Sequence, residues 1–442
     1  MSVSVAIVGS GPAGFYTADA LVKSDADYRI DIIERLPTPF GLIRYGVSPD
    51  HETTRKVSKA FERTALAESV RYFGNVELGR DVGFEELRSL YDAVVLTFGM
   101  PRDQMLGIPG DDKAGVIGAA AFVGWYNGHP DFTGLDPDLD TEAAAVIGVG
   151  NVALDVARIL TKTRAELTAT DMPDHALDAI DSASFSDIYI FGRRGPVEAK
   201  FSNVELREMG ELEKGVPVID GAVIPDAVTG EMAERDVRLK EKNLATLREF
   251  ARAEAKPGKT RLHFRFYAAP VEVLGDERVE GLRLERTAVV DGRAVGSGEF
   301  FEVPCGLVLP AIGYRSALAD GVPLDAKRGT VENTDGRVAD GVYAAGWIMR
   351  GPTGVISSNR TDGRLVASHI DADIKDGKKP GREGLKALLA ARGVNFIGYA
   401  DWQKIESAEI AAARAGAPRG KFVTVDDMLA AAGAETARRE AG

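Results

Sequence analysis

The chain has 442 residues, a formal net charge of −13 at pH 7 and one cysteine, Cys305. The length suits two or three domains, and the acidic balance argues against nucleic acid or an anionic membrane as partner. A single thiol excludes a disulfide scaffold, a CxxC redox pair and a four-thiolate iron–sulfur cluster, so any one-electron metal centre has to sit on another protein.

The first strand is expected over residues 3–8, an apolar run rich in valine and isoleucine. It leaves no room for a presequence, and no later run is long enough to span a bilayer. With the high Ala, Arg and Gly content, this reads as a cytoplasmic bacterial protein. The turn that follows, Gly9-Ser10-Gly11-Pro12-Ala13-Gly14, is a GxGxxG motif leading into a helix expected over 15–23. In a dinucleotide-binding unit Gly9 allows the tight turn, Gly11 lets backbone approach a pyrophosphate, and Gly14 lets helix pack close to strand. The helix start offers amide donors and the positive dipole end. A second strand over 29–33 ends in Glu34, about 20 residues on, where an acid binds ribose hydroxyls. A glycine turn that only packs explains the glycines but not Glu34.

Residues 36–47 hold too many prolines and glycines for a regular element. A helix is expected from about Ser48 to residue 67, capped by Ser48 or Asp50, with strands over 71–79 and 92–98. A second motif then begins. A strand over 144–147 runs into Gly148-Val149-Gly150-Asn151-Val152-Ala153, a GxGxxA turn, with Leu154 in the helix expected to run to 161. The next strand, 188–191, ends in Gly192-Arg193-Arg194 instead of an acid. Arginine there suits a 2′-phosphate through paired charged hydrogen bonds, favouring NADP over NAD; the alternative is a solvated basic turn. The stretch 164–186 is an insertion without an evident role.

Residues 233–265 carry ten Lys/Arg, among them Arg238, Lys240, Lys242 and Lys256, against five Asp/Glu. Most lie on a helix expected to reach 253, and a solvated helix face competes with a docking surface as the explanation. Strands follow to 307–313. A short strand over 341–347 leads to a glycine-rich loop, 350–356, and a helix over 361–375. The tail, 384–442, reads as short helices, with Trp402 in a core.

Four longer stretches carry a resemblance: Leu36-Pro-Thr-Pro-Phe-Gly-Leu-Ile-Arg-Tyr-Gly-Val-Ser-Pro-Asp-His51, Phe122-Val-Gly-Trp-Tyr-Asn127, Gly192-Arg-Arg-Gly-Pro196 and Gly346-Trp-Ile-Met-Arg-Gly-Pro-Thr-Gly-Val-Ile356. Over essentially the whole chain the sequence resembles the adrenodoxin-reductase type of ferredoxin–NADP⁺ reductase. The resemblance implies an α/β fold of two Rossmann-like domains, glutathione-reductase-like, with an NADP domain (105–315) inserted into a discontinuous FAD domain (1–104 and 316–442). It also implies that Gly14, Glu34, Leu42, Val47, Val82, Trp347, Gly354, Val355 and Ile356 hold FAD. Trp347 stands where related disulfide reductases have an aspartate that bonds the ribityl chain. Asn151, Val152, Ala153, Leu154, Arg193, Arg194 and Glu205 are implied for NADPH, with Gly354 near the nicotinamide. Gln104 departs from the arginine of some relatives, which leaves no pyrophosphate contact assigned there. His51 and Glu205 become candidates for the catalytic, nicotinamide side, although His51 also suits a helix start and Glu205 a surface helix.

The implied activity is hydride transfer from NADPH to FAD, then single electrons to a ferredoxin that docks on the basic segment of a monomer. No protein-bound metal is expected. Two rivals keep the same cofactor motifs: an NADPH diaphorase or quinone reductase, and a non-catalytic NADPH-binding sensory flavoprotein.

Overall fold

The computed structural model describes residues 2–219, 224–228, 232–253, 257–317 and 319–434. The chain divides into two compact units, one of Met1–Arg102, Asn127–Thr133 and Tyr314–Gly442, the other of Asp103–Tyr126 and Gly134–Gly313. The insertion expected over 105–315 thus runs from 103 to 313, and chain order gave no sign that 127–133 belong with the first unit.

The first unit opens with β1 (Val3–Val8), α1 (Pro12–Val22), β2 (Tyr28–Glu34), α2 (Leu42–Tyr45), α3 (Glu52–Arg55), α4 (Ser58–Ala65), β3 (Val70–Gly74), α5 (Phe84–Leu90) and β4 (Ala93–Leu96). The second adds α6 (Ala119–Tyr126), β5 (Ala143–Ile147), α7 (Asn151–Ile159), α8 (Arg164–Thr168), α9 (Asp174–Ser182), β6 (Asp187–Gly192), α10 (Asn203–Glu208) and β7 (Gly215–Ile219). It continues with α11 (Glu234–Phe250), β8 (Thr260–Phe266), β9 (Ala268–Leu274), β10 (Gly281–Val290), β11 (Arg293–Pro304) and β12 (Leu307–Pro310). The chain then returns to the first unit with β13 (Arg337–Ala339), β14 (Val342–Ala344), α12 (Trp347–Arg350), α13 (Ser358–Asp373), α14 (Arg382–Ala391), α15 (Tyr399–Ala411) and α16 (Val425–Ala432).

In the first unit the sheet order is β13-β14-β4-β1-β2-β3, parallel except for β13. Every residue of β1 is buried, which is why it reads as an unbroken apolar run rather than an alternating one. Alternate side chains enter different cores. Val5 and Ile7 pack with Phe15 and Ile370, whereas Ala6 and Val8 pack with Leu87 and Leu385. The second unit repeats the plan with the order β12-β5-β6-β8-β7, all parallel. Ala143, Ala145 and Ile147 of β5 share a core with Leu282 and Val303 of the antiparallel β9-β10-β11 sheet.

Several boundaries differ from expectation. The helix expected from Ser48 begins at Glu52, with His51 in the cap position, and breaks before Ser58; Ser48 Oγ donates to Asp50 Oδ1 at 2.5 Å. The 36–47 loop contains the helical turn α2. Helix α1 starts at Pro12, tolerated because the first-turn amide has no partner anyway. The 164–186 insertion forms α8, closed by a Thr163–Glu166 capping box, and α9. The basic helix ends at Phe250, and Lys256 and residues beyond 434 lie outside the described residues. Among the described residues no helix is long and apolar enough to cross a membrane.

Candidate dinucleotide sites

Gly9 has φ +110°, and a Cβ there would meet the Thr97 carbonyl at 2.7 Å. At Gly14 a Cβ would lie 2.1 Å from Gly9 O, so helix and turn touch only because it is glycine. Gly11 is the opposite case: a Cβ there meets nothing within 4 Å. Its backbone faces open space at the start of α1, the space a pyrophosphate would fill. Glu34 is oriented by three donors. Its Oε2 accepts from Ser10 N (3.0 Å) and Ser10 Oγ (2.7 Å), and its Oε1 from Leu36 N (3.1 Å). A carboxylate has about four lone-pair positions, so Oε1 retains acceptor capacity for a ribose hydroxyl.

The loop after Glu34 folds back over this turn. Phe40 N donates to Ser10 O at 3.0 Å, and a Cβ on Gly41 would lie 3.0 Å from Gly11 Cα. Phe40 has φ +84°, unusual for a bulky residue, and its ring is held between Phe15 at 5.5 Å and Trp402 at 5.9 Å. The loop presents Leu42, an apolar side chain 45% exposed. Behind it, the buried Arg44 pairs with the buried Glu409 of α15, and Lys421 Nζ donates to Arg44 O at 3.2 Å. The tail therefore fixes the site loop, and Trp402 is in the core as expected.

Gly346 has φ +79°, and its Cβ would meet Ala13 Cβ at 2.6 Å, which seats α12 against the start of α1. Trp347 stacks obliquely on Tyr314, with centroids 5.0 Å apart. Arg350 fastens the next loop: it pairs with Asp362, and its Nε donates to Thr353 O at 3.2 Å. Gly354 turns at φ +83°; the Val355 amide is committed to Ser358 Oγ at 3.1 Å. What Val355 offers outward is an isopropyl group 64% exposed. Val47 and Ile356 pack onto the core beneath. Val82 is fully buried and its amide donates to Glu77 O, so its side chain backs the sheet and has no surface to offer a ligand.

The second unit reproduces the first turn. Gly148 has φ +144° with a Cβ position 2.4 Å from Ala311 O, whereas a Cβ on Gly150 meets nothing within 4 Å. Ala153 and Leu154 have no exposed surface, and both amides donate to Gly150 O. Their part is to form the turn, which leaves the amides of Asn151 and Val152 at its mouth. The Asn151 side chain is already used: Oδ1 accepts from Ser202 N at 2.8 Å. Beside the turn, a Cβ on Gly192 would lie 2.9 Å from Val149 Cγ1, which places Arg193 and Arg194 at the edge of the same opening. Arg193 is exposed, and Arg194 Nη1 donates to Gly292 O at 3.2 Å.

Glu205 lies in the first turn of α10 and pairs at 3.1 Å with Arg158, a fully buried arginine that also holds Asp155 and Glu208. His51 precedes α3 and makes no side-chain capping bond. The basic helix does not offer all its cations to solvent. Lys240 turns inward to Val197 O, whereas Arg238, paired with Glu234 along the helix, stays exposed. Arg235, Arg238, Leu239 and Lys242 line a shallow hollow of ≈ 350 Å³ with Glu234. Sequence reasoning missed Ser10, Phe40, Arg350 and the Arg44–Glu409 pair. Ser10, Phe40, Arg44 and Arg350 all lie within motif stretches; only Glu409, in the tail, lacked any local signal.

A pyridine nucleotide-disulphide oxidoreductase family model matches residues 3–190. The chain is 42% identical, over 97% of its length and 95% of the relative's, to the mitochondrial NADPH:adrenodoxin oxidoreductase of Arabidopsis thaliana. It is 40% identical, over 96% of its length and 98% of the relative's, to the NADPH-ferredoxin reductase FprA of Mycobacterium tuberculosis. The solved structure of FprA in complex with NADPH aligns with a TM-score of 0.92 and 39% identity, covering 98% of this chain and 100% of that one. With two dinucleotide turns built alike and this likeness over nearly its full length, the chain belongs to the family of NADPH-dependent adrenodoxin and ferredoxin reductases.

Proposed function

We propose that this protein is an FAD-containing NADPH–ferredoxin reductase. The observation that carries the reading is the doubled turn: each has a first glycine walled in by a neighbouring strand end and a second glycine open to a ligand. Bound FAD supplies what no side chain here can, acceptance of two electrons as hydride and their release one at a time to an iron–sulfur protein. The first unit holds it, with Gly11 against the pyrophosphate, Glu34 on the ribose, and Leu42, Trp347 and Val355 as apolar contacts. The second unit holds NADPH. The Asn151 and Val152 amides and the α7 dipole take the pyrophosphate, and Arg193 with Arg194 takes the 2′-phosphate. His51 and Glu205 serve the nicotinamide side, a role that rests on the family resemblance; Arg158 holds the Glu205 carboxylate in place.

The acceptor is a ferredoxin, and the outer face of α11 around Arg235, Arg238 and Lys242 is its proposed dock, in a cytoplasmic monomer. Anaerobic mixing with NADPH tests the reading. The flavin should bleach and then pass single electrons to an added ferredoxin. A flavin left oxidised would indicate a sensor, and dye reduction without ferredoxin reduction would indicate a diaphorase.

A further inference from the structure

Between the 2′-phosphate arginines and Glu205 runs a segment, residues 195–203, with a single helical turn at Pro196–Glu198. One side is anchored to the nucleotide turn itself: Lys200 N donates to Val149 O at 2.8 Å and Ser202 N to Asn151 Oδ1 at 2.8 Å. The other side is anchored to α11. Lys240 Nζ donates to Val197 O, Asn243 Nδ2 donates to Phe201 O at 3.0 Å, and Asn203 Nδ2 donates to Thr246 Oγ1 at 3.0 Å. Residues 240, 243 and 246 are three apart and so share one face of the helix. Asn243 is 2% exposed and Thr246 6%. A buried donor is costly unless it is hydrogen-bonded. Asn243 Nδ2 finds its acceptor in the segment's backbone, and the Thr246 hydroxyl, which itself donates to Lys242 O at 3.2 Å, accepts from Asn203.

We propose that α11 is a splint for the nucleotide-reading segment, and that Asn243, Thr246 and Lys240 are positioning residues for NADPH recognition that never touch the nucleotide. The proposal rests on the reading that the second unit binds NADPH. Discrimination between NADPH and NADH depends on where Arg193 and Arg194 sit. That placement is transmitted through Pro196 and Val197 to Lys240, and through Phe201 to Asn243. One consequence concerns the basic helix: Lys240 belongs to its inner, nucleotide-side face, and only the outer cations remain for docking.

Asn243→Asp keeps the side chain's shape but replaces the donor with a carboxylate oxygen facing the Phe201 carbonyl. Thr246→Val removes the hydroxyl isosterically, and Thr246→Ser restores it. Asn243→Asp should raise the KM for NADPH and the Kd for 2′,5′-ADP by about tenfold or more, because one hydrogen bond is lost and a buried carboxylate faces a carbonyl, with kcat and the KM for NADH unchanged. Thr246→Val should move the same quantities in the same direction, and Thr246→Ser should return them to the parent value. If Asn243→Asp does not fold, the Thr246 pair decides alone. Parent-like NADPH binding in the folded variants, or equal losses for NADPH and NADH, would overturn the splint. The double variant Arg193→Ala/Arg194→Ala separates the two readings. If it lowers the NADPH preference while the α11 variants do not, only the splint fails. If it leaves the preference unchanged, the arginine assignment fails and takes the splint with it.

Discussion

Gly11→Ala separates folding from cofactor binding at the first turn. Gly11 has φ −76° and ψ −174°, a conformation alanine adopts without strain, and the added methyl meets no protein atom within 4 Å. The apoprotein should therefore keep its stability, or gain about 0.4–1 kcal/mol from a less flexible unfolded chain. On the proposed reading the methyl stands where the pyrophosphate approaches. Forcing a methyl into a filled contact costs about 1–3 kcal/mol, equivalent to roughly 5- to 150-fold in the FAD dissociation constant. Gly14→Ala is the control with the opposite sign, since its Cβ would sit 2.1 Å from Gly9 O and the helix has to move. Thermal denaturation of the apoproteins and FAD titration by flavin fluorescence quenching measure the two effects independently. Gly11→Ala that binds FAD as tightly as the parent would falsify the placement of the pyrophosphate over Gly11.

Four other outcomes are expected. Glu34→Ala should weaken FAD by about 1.5–3 kcal/mol, read as loss of yellow colour on gel filtration, and should also lower apoprotein stability because the Ser10 and Leu36 amides lose their acceptor. Replacing Arg193 and Arg194 should lower the kcat/KM preference for NADPH over NADH by about a hundredfold or more, with NADH kinetics little changed. Burial, opposed by Asp131 and aided by the cations Arg35 and Arg44, pushes His129 down to about 4, beside the Tyr45 ring. The unfolded state then binds the extra proton between about pH 6.5 and pH 4, so this group costs stability as pH falls through that window, by at most roughly 3 kcal/mol. Urea denaturation of His129→Phe should show a flatter pH dependence there, and an unchanged slope would remove His129 as its source. Charge reversal of Arg235, Arg238 and Lys242 should slow ferredoxin reduction at low salt and spare a neutral dye, since exposed charges are screened within about 8 Å at physiological salt. Undiminished ferredoxin turnover would place the dock elsewhere.

What was legible in the sequence was local. Six consecutive buried positions in β1, the glycine spacings and the residue ending each second strand are all properties of short stretches, and they located both turns. The lost features join distant residues. Arg44 and Glu409 are 365 positions apart, and nothing around either predicts a buried pair. Helix α11 shows why composition misleads: its basic run is visible, but which cations face inward depends on a segment some forty residues earlier, as with Lys240 and Val197. Ser48 and Asp50 were reasonable caps by residue type, yet the helix begins at Glu52 and His51 takes the cap position, while Ser48 bonds the Asp50 side chain. Val82, Ala153 and Leu154 show a different limit: the positions were adjacent to a site, but only burial reveals which atoms face it.

The two turns also show where each site acquires its wall. Thr97 N donates to Val8 O at the end of the first sheet, and Ala311 N donates to Ile147 O at the end of the second. These are equivalent bonds, and the carbonyls of Thr97 and Ala311 are what a side chain on Gly9 or Gly148 would strike. Each positive-φ glycine is therefore demanded by a strand that comes later in the chain. The first turn needs β4, within the same stretch of the unit; the second needs β12, which the chain reaches only after α11 and the β9-β10-β11 sheet. The two turns are thus alike in local chemistry and unlike in what completes them. The difference in ligand then lies at the end of the second strand. Glu34 presents acceptors, suited to ribose hydroxyls, and Arg193 with Arg194 presents donors, suited to a phosphate. On the proposed reading, one backbone solution is used twice, and the reversal of charge after the second strand, from Glu34 to Arg193 and Arg194, is what tells a ribose hydroxyl from a 2′-phosphate.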